Sequence, residues 1–343
     1  MKPSLWHRLR LFWQGPGVSE PSFERATVDD IYACFRLLLR RRPSPEEEVY
    51  WKDLVVHHRI TIQAMVDELM ASAEFLEKQA AGRQPQLIDL DDFQLYARPN
   101  DFFIGAAIAR NRQYEPAVTQ IVRTHLHEGD VFVDVGANIG YFTLMAATIV
   151  GRNGHVHAVE PNPDNCHLIT MSVEANGVEN VTLYPFAAAE KTQMLQLDIA
   201  GTGSNSRVID DSPQAVPGSS PPQQVQAVIL DKVLAGLERI DLVKMDIEGA
   251  EPRALQGMMQ ILQRHRPILI SEFSPALIKV TSHVTPESYL EQLISLHYEL
   301  SVIGKGKSNA SRPLRPREII DMHPKSGSSH LDLLAYPAEE SRQ

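Results

Sequence analysis

Apolar positions along the chain follow two different periods. From about Val28 to Lys78 they recur at helix spacing, with Ile31, Phe35, Leu38 and Leu39 on one face and Met65, Leu69, Phe75 and Leu76 on another. Breakers in this stretch are confined to Pro43 and Pro45, and nothing alternates like a strand. Ser44, then Pro45 and three glutamates, predicts a helix start: the serine caps orphan amides, the proline suits the first turn, and the acids face the positive end of the helix dipole. A small helical bundle over residues 28–82 is therefore expected. After a polar linker around Gly82 to Gln86 the pattern changes, and residues 85–343 read as alternating strands and helices. Strands are expected at Val131–Val135, His155–Val159, Val181–Phe186, Ile240–Met245 and Ile268–Glu272, with helices at Tyr141–Val150, Asp164–Asn176 and Glu251–Arg264. Such an order builds an α/β fold, a parallel sheet with helices on both faces preceded by a small all-α domain. Ligands of these sheets sit at the carboxyl ends of the strands. Gly201–Gln224 reads as a long Gly/Ser/Pro/Gln loop and Gly304–Ser329 as a second polar stretch, before a last strand Leu331–Tyr336 expected at the sheet edge.

The 343 residues suffice for two domains, and a formal net charge of −10 argues against a general nucleic-acid binder, which needs a Lys/Arg surplus on one face. Cys34 and Cys166 both stand in apolar helical contexts rather than in a paired framework, which fits a reducing compartment. No run reaches the roughly 18 to 20 apolar residues that cross a bilayer, and the N-terminus lacks a signal-peptide pattern, so a cytoplasmic protein is expected. In the N-terminal tail, residues 1–27, Leu5, Trp6, Leu9, Leu11, Phe12 and Trp13 interleave with Lys2, Arg8 and Arg10. Two readings stay open there: an amphipathic helix at the inner membrane surface, or a helix packed on its own domain or a frayed tail.

The candidate chemistry begins at Asp134-Val135-Gly136-Ala137-Asn138-Ile139-Gly140, where the first parallel strand ends. Glycines let the backbone turn and approach a ligand, and the next helix offers its first amides. A pyrophosphate fingerprint would be G-x-G-x-x-G; this loop reads G-x-N-x-G, with an acid before it. That arrangement suits a cationic amino-acid ligand better: Asp134 attracts an ammonium, the loop amides meet a carboxylate, and Glu160 at the end of the second strand can accept ribose hydroxyls. Lys244-x-Asp246-x-Glu248 alternates at the end of the fourth strand, which would face all three charges to the ligand crevice. These acids beside a lysine could serve as base, orienter or metal ligand, or form a structural ion-pair network. Asp246, Glu248 and Glu272 are weak candidates to hold magnesium or calcium. His57, His58, His125, His127 and His265 read as packing or solvated residues, and His283 is kept as a weak alternative base.

Four of these segments, in order, resemble the FkbM-type family of class I methyltransferases: Asp134 to Thr143, Glu160-Pro161-Asn162-Pro163, Lys244 to Glu251, and Pro267 to Glu272. The likeness is close over residues 125–275 and extends weakly to Tyr336. It implies a Rossmann-like class I sheet and an S-adenosylmethionine-dependent O-methyltransferase acting on hydroxyls of sugars, glycans or related natural products. Cofactor contacts would fall to Asp134, Gly136, Asn138, Gly140, Glu160 and Asp246, and catalysis to Asp246 or Glu248 as base beside Lys244. The Ser204-Asn205-Ser206 triplet aligns loosely with a small polar family motif, or is a solvated turn; Ser204 and Asn205 join Glu272 and His283 as weak substrate candidates. Tyr32, Leu38 to Pro43, Tyr50-Trp51 and Ser72-x-Glu74-Phe75 resemble a small helical module that accompanies enzymes of bacterial surface polysaccharides. That likeness points to glycan-related work and keeps a second class of reading in view, a non-catalytic adaptor in a glycan-assembly complex.

Overall fold

The computed structural model describes residues 25–101, 104–199, 206–209, 222–304 and 312–338, so the N-terminal tail residues from Leu5 to Trp13, and Ser204 and Asn205, lie outside the described residues. The chain divides into two compact units between Gln84 and Pro85.

The first unit holds α1 (Val28–Cys34), which continues as a wider turn over Phe35–Leu39, then α2 (Pro45–Val56), α3 (Ile62–Ala71) and α4 (Ala73–Arg83). The expected start of α2 is present as a capping box, in which Ser44 Oγ accepts the Glu47 amide at 3.2 Å and Glu47 Oε2 accepts the Ser44 amide at 2.7 Å. Ile31, Phe35, Leu39, Trp51, Met65 and Leu69 form the core. Leu76, expected on an apolar face, is instead 57 % exposed, because Phe75 takes the inward position of that turn. Arg41 ties the starts of two helices together: its Nη2 lies 2.7 Å from Glu47 Oε1 and 2.6 Å from Glu74 Oε2.

The second unit opens with an antiparallel hairpin of β1 (Gln86–Leu90) and β2 (Phe93–Ala97), followed by α5 (Gly105–Asn111) and α6 (Pro116–His125). Next come β3 (Val131–Val135), α7 (Tyr141–Val150), β4 (His155–Val159), α8 (Pro163–Asn176) and β5 (Val181–Tyr184). A small second sheet uses β6 (Ala187–Ala188), β7 (Gln193–Ile199), β8 (Ser206–Ile209) and β9 (Gln223–Val228). The main sheet is completed by β10 (Leu242–Met245), α9 (Glu251–Gln256), α10 (Met259–His265), β11 (Ile268–Phe273), α11 (Pro286–Ser295), β12 (Tyr298–Val302), α12 (Pro316–Ser326) and β13 (Leu331–Pro337). Its order is β12-β13-β11-β10-β3-β4-β5, parallel from β11 to β5 and antiparallel at β13 and β12.

Four expectations need correction. The terminal strand β13 lies between β11 and β12, so β12, which the pattern did not reveal, is the edge. The helix expected over Glu251–Arg264 breaks at Gly257, where a side chain would meet the Ala189 carbonyl at 2.2 Å. The strand expected over Val181–Phe186 stops at Tyr184, and the chain moves into the small sheet. Within the expected long loop, Ser206–Ile209 and the start of β9 are strands of that sheet, and α12 occupies the second polar stretch. Among the described residues no helix is long and apolar enough to cross a membrane.

The packing under the sheet depends on Tyr289, which is fully buried and whose hydroxyl lies 2.6 Å from Ser271 Oγ of β11. Tyr289→Phe keeps the ring and removes one of the two hydrogen bonds of the Ser271 hydroxyl, which still donates to the Glu272 carbonyl at 3.1 Å, so the urea midpoint should fall by the equivalent of about 1 kcal/mol at unchanged m-value. An unchanged midpoint would show that this hydrogen bond adds nothing.

Candidate functional site

The loop after β3 has its conformation imposed by its neighbour. Gly136 has φ +83°, and a Cβ there would lie 2.0 Å from the Asp246 carbonyl oxygen after β10, so no larger residue fits. Asn138, at φ 53°, holds a left-handed turn that asparagine tolerates, and Gly140, at φ 91°, leads into α7. Asp134 is fully buried on β3: its Oδ2 accepts the Thr143 hydroxyl at 2.7 Å, while its Oδ1 is left without a hydrogen-bond partner.

Glu160 follows β4 and clamps two turns. Its Oε2 accepts the Asn138 amide at 2.8 Å, and its Oε1 accepts the Asn162 amide at 2.8 Å and the Asn165 side-chain amide at 3.3 Å. Burial pushes this carboxyl up to about 7 although the amides of Asn162 and Asn138 favour its charged form. A carboxylate offers about four lone-pair positions, so the clamp leaves room for a ligand hydroxyl.

Strand β10 ends at Met245, so the expected alternation of Lys244, Asp246 and Glu248 on one pleated face is replaced by a turn. Lys244 stays in the strand, 4 % exposed, with Nζ 3.0 Å from Asp246 Oδ2 and 4.7 Å from the centre of the Phe142 ring. Glu248 reaches the cavity through a left-handed residue at φ 54°, and Gly249 follows at φ +90° with a Cβ position only 2.4 Å from the Leu277 backbone. Glu251, at the start of α9, holds this turn by accepting the Ile247 amide at 2.9 Å.

All of this borders one cavity of about 330 Å³ at the carboxyl ends of the strands, the size and place typical of small-ligand sites. Gly136, Asn138, Glu160, Asp246, Glu248 and Glu272 line it; Asp134, Gly140, Lys244 and His283 do not. The sequence reading missed Tyr114, Glu115, Phe186, Ser274 and His330, which line it too. The signal for Glu115 was local, a charged residue directly before the helix-starting Pro116, whereas His330 becomes visible only once β13 is paired with β11. His283, the weak alternative base, ends the turn over Ile278–Ser282, and His330 is the histidine of the cavity.

The electrostatics divide the acids. Burial alone would raise Asp246, but the ammonium of Lys244 holds it below the ordinary carboxylate range. Lys244 is in turn held above its ordinary value: burial opposes the charge, and Asp246, Asp134 and Glu115 outweigh burial. The other acids have no such partner. Burial, then Asp246, pushes Glu248 upward, Glu115 up to about 8 and, with Glu251 adding to it, Glu272 up to about 11. Glu272 sits 3.3 Å from His330 Nδ1 through Oε1, and its buried Oε2 is unpartnered. As for a metal, among the described residues no three His, Cys, Asp or Glu side chains are gathered as ligands, and Asp246 is committed to Lys244.

The strand-turn-helix loop where β3 neighbours β10, with an acid after β4, belongs to a Rossmann-like α/β fold of the class I methyltransferase kind. Residues 134–292 match the methyltransferase FkbM domain. The chain is 32 % identical over 164 residues to the 31-O-demethyl-FK506 methyltransferase FkbM of Streptomyces tacrolimicus, a match covering 39 % of this chain and 61 % of that protein. It is 25 % identical to the hexuronic acid methyltransferase AglP of Haloferax volcanii over 45 % of this chain and 60 % of the other. The chain thus spans about three fifths of the length of these two relatives. A crystal structure of the methyltransferase FkbM from Methylobacillus flagellatus aligns at 15 % identity and a TM-score of 0.36, covering 89 % of this chain and 58 % of that one.

The raised acids make stability pH-dependent. Glu251 lies near 8 in the fold, raised by burial from an ordinary 4.5, so the native state binds more protons than the unfolded chain between those values. Stability is greatest below about 4.5 as far as this group is concerned and falls as pH rises towards 8. Glu251→Gln should flatten the decline in melting temperature between pH 5 and 8.5. An unchanged slope in the variant would contradict the assignment.

Proposed function

We propose that the chain is an S-adenosylmethionine-dependent O-methyltransferase acting on a hydroxyl of a sugar, glycan or related natural product. The observation that carries the reading is the Gly136–Gly140 turn, clamped by Glu160, opening onto the same cavity as Glu248. The residues present fit such a cofactor. Gly136 leaves a cradle that a Cβ would fill, and the buried, unpartnered Oδ1 of Asp134 favours a cationic neighbour. Gly136 and Asn138 would hold the amino-acid end and Glu160 the ribose. S-adenosylmethionine supplies an electrophilic methyl group on a sulfonium leaving group.

This chain's residues supply position and a proton acceptor. With the methyl donor bound, the cavity would align an acceptor hydroxyl with the methyl group that the sulfonium supplies, and Glu248 would take the hydroxyl proton. Glu248 suits the role because burial raises its basicity while it faces the cavity. Asp246, bound to Lys244, is the weaker base and fixes the floor. The names of the relatives from Streptomyces tacrolimicus and Haloferax volcanii, an O-demethyl natural product and a hexuronic acid, support an oxygen acceptor.

Calorimetry should show S-adenosylmethionine binding in the micromolar range and no binding of NADH, with Asp134→Asn weakening the former about tenfold or more. NADH binding without S-adenosylmethionine binding would sink the cofactor assignment. In tritiated-methyl transfer assays over sugars, nucleotide sugars and extracted polysaccharide, Glu248→Gln should cut turnover about 10²-fold or more, mainly in kcat. Label confined to amines would overturn the oxygen assignment.

A further inference from the structure

The order of the sheet divides the cavity. Gly136, Asn138 and Glu160 lie on the β3–β4 side, where the cofactor is assigned. Glu248 after β10, Glu272 near the end of β11, Ser274 just after it and His330 just before β13 lie on the other side. Glu115, at the head of α6, completes that lining. Three carboxyl groups, Glu115, Glu248 and Glu272, therefore face the space left for the acceptor, with Asp246 at the division.

Among the described residues, the cations close to this half are already engaged. Lys244 lies 3.0 Å from Asp246, and Arg207 of β8, whose charge acts on Glu248, lies 3.8 Å from Asp198. His330 Nδ1 lies 3.3 Å from Glu272 Oε1. Glu272 is 9 % exposed and its Oε2 is buried with no hydrogen-bond partner in the fold, so the lining offers a polar carboxyl atom that a ligand hydroxyl can meet as donor or acceptor. A ligand carboxylate or phosphate placed here would meet acids and, among the described residues, no fork of arginines or lysines to receive it. A hydroxyl meets the opposite situation, because it donates to an ionised carboxylate and accepts from a protonated one. Tyr114 adds an apolar wall, its ring set edge-on to Tyr141 at 5.9 Å and to Phe142 at 6.3 Å.

We propose that the acceptor is a polyol free of negative charge, neutral or amine-bearing, and that the Glu115–Glu248–Glu272 side of the cavity excludes uronates and sugar phosphates. The inference rests on the methyl-transfer reading and deepens it, since it separates this chain's acceptor from the hexuronic acid named for the relative from Haloferax volcanii. The raised protonation of Glu115 and Glu272 agrees with it: a cavity that already forces its acids towards neutrality has no place for another anion.

The test uses the full chain and four matched probes: methyl glucoside, methyl glucuronide, methyl glucuronamide and methyl glucosaminide. Calorimetry with S-adenosylhomocysteine first reports on the cofactor reading by itself. Saturation-transfer NMR then ranks the four sugars on the protein with and without that ligand. The glucuronamide should bind at least about tenfold more tightly than its isosteric uronate, because a carboxylate brought into a buried lining without a cation to pair with it is strongly penalised. The Glu115→Gln, Glu248→Gln double variant should narrow that gap. A uronate that binds as well as its amide, or a spectrum that none of the four sugars perturbs, would overturn the proposal. Absent binding of S-adenosylhomocysteine would instead strike the methyl-transfer reading, with the ranking of sugars still read on the chain alone.

Discussion

Burying the ammonium of Lys244 in the central strand β10 would be prohibitive without compensation, and the arrangement around it is what supplies the compensation. Asp246 lies 3.0 Å away, Asp134 stands opposite it in the register of β3, and the face of Phe142 lies 4.7 Å beneath the charge. One ammonium among several carboxyls then decides their protonation. Asp246 takes the ion pair and stays charged, and the acids left over, Glu115, Glu248 and Glu272, are pushed upward by burial and by Asp246 itself. The difference between a structural carboxylate and a basic one in this cavity is thus a matter of distance from one lysine.

The loop on the other side of Lys244 is constrained sterically. Gly136 lets the turn after β3 press against the Asp246 carbonyl, which brings the cofactor loop and the β10 turn to the rim of a single cavity. Glu160 fixes the opposite wall by accepting amides from Asn138 and Asn162. Charge set by Lys244 and shape set by Gly136 together place a nucleoside-sized space beside a raised carboxyl.

Much of this was legible in the sequence because it is local. The periodicity located β3, α7, β4 and α8, and the turn Asp134–Gly140 and Glu160 announced the ligand loop through backbone chemistry that each residue carries alone. What could not be read depends on pairing and on turns. That β13 inserts between β11 and β12, and so brings His330 to Glu272, follows from sheet pairing and not from spacing. The expected common face of Lys244, Asp246 and Glu248 assumed that the strand continued, whereas it ends at Met245 and Glu248 arrives through a left-handed turn. Asp134, expected at the ligand, instead lies fully buried behind the loop and does not line the cavity, a placement set by the packing of β3 rather than by the loop sequence.

The claim on which the account turns is that the methyl donor occupies the cavity between the Gly136 loop and Glu160. Irradiating the full chain with radiolabelled S-adenosylmethionine and mapping the labelled peptides tests it directly. Label should concentrate on the segments around residues 136–140, 160–165 and 186–188, which line that end of the cavity, and S-adenosylhomocysteine should suppress it. Label that falls elsewhere in the chain, or that S-adenosylhomocysteine leaves unchanged, would contradict the assignment.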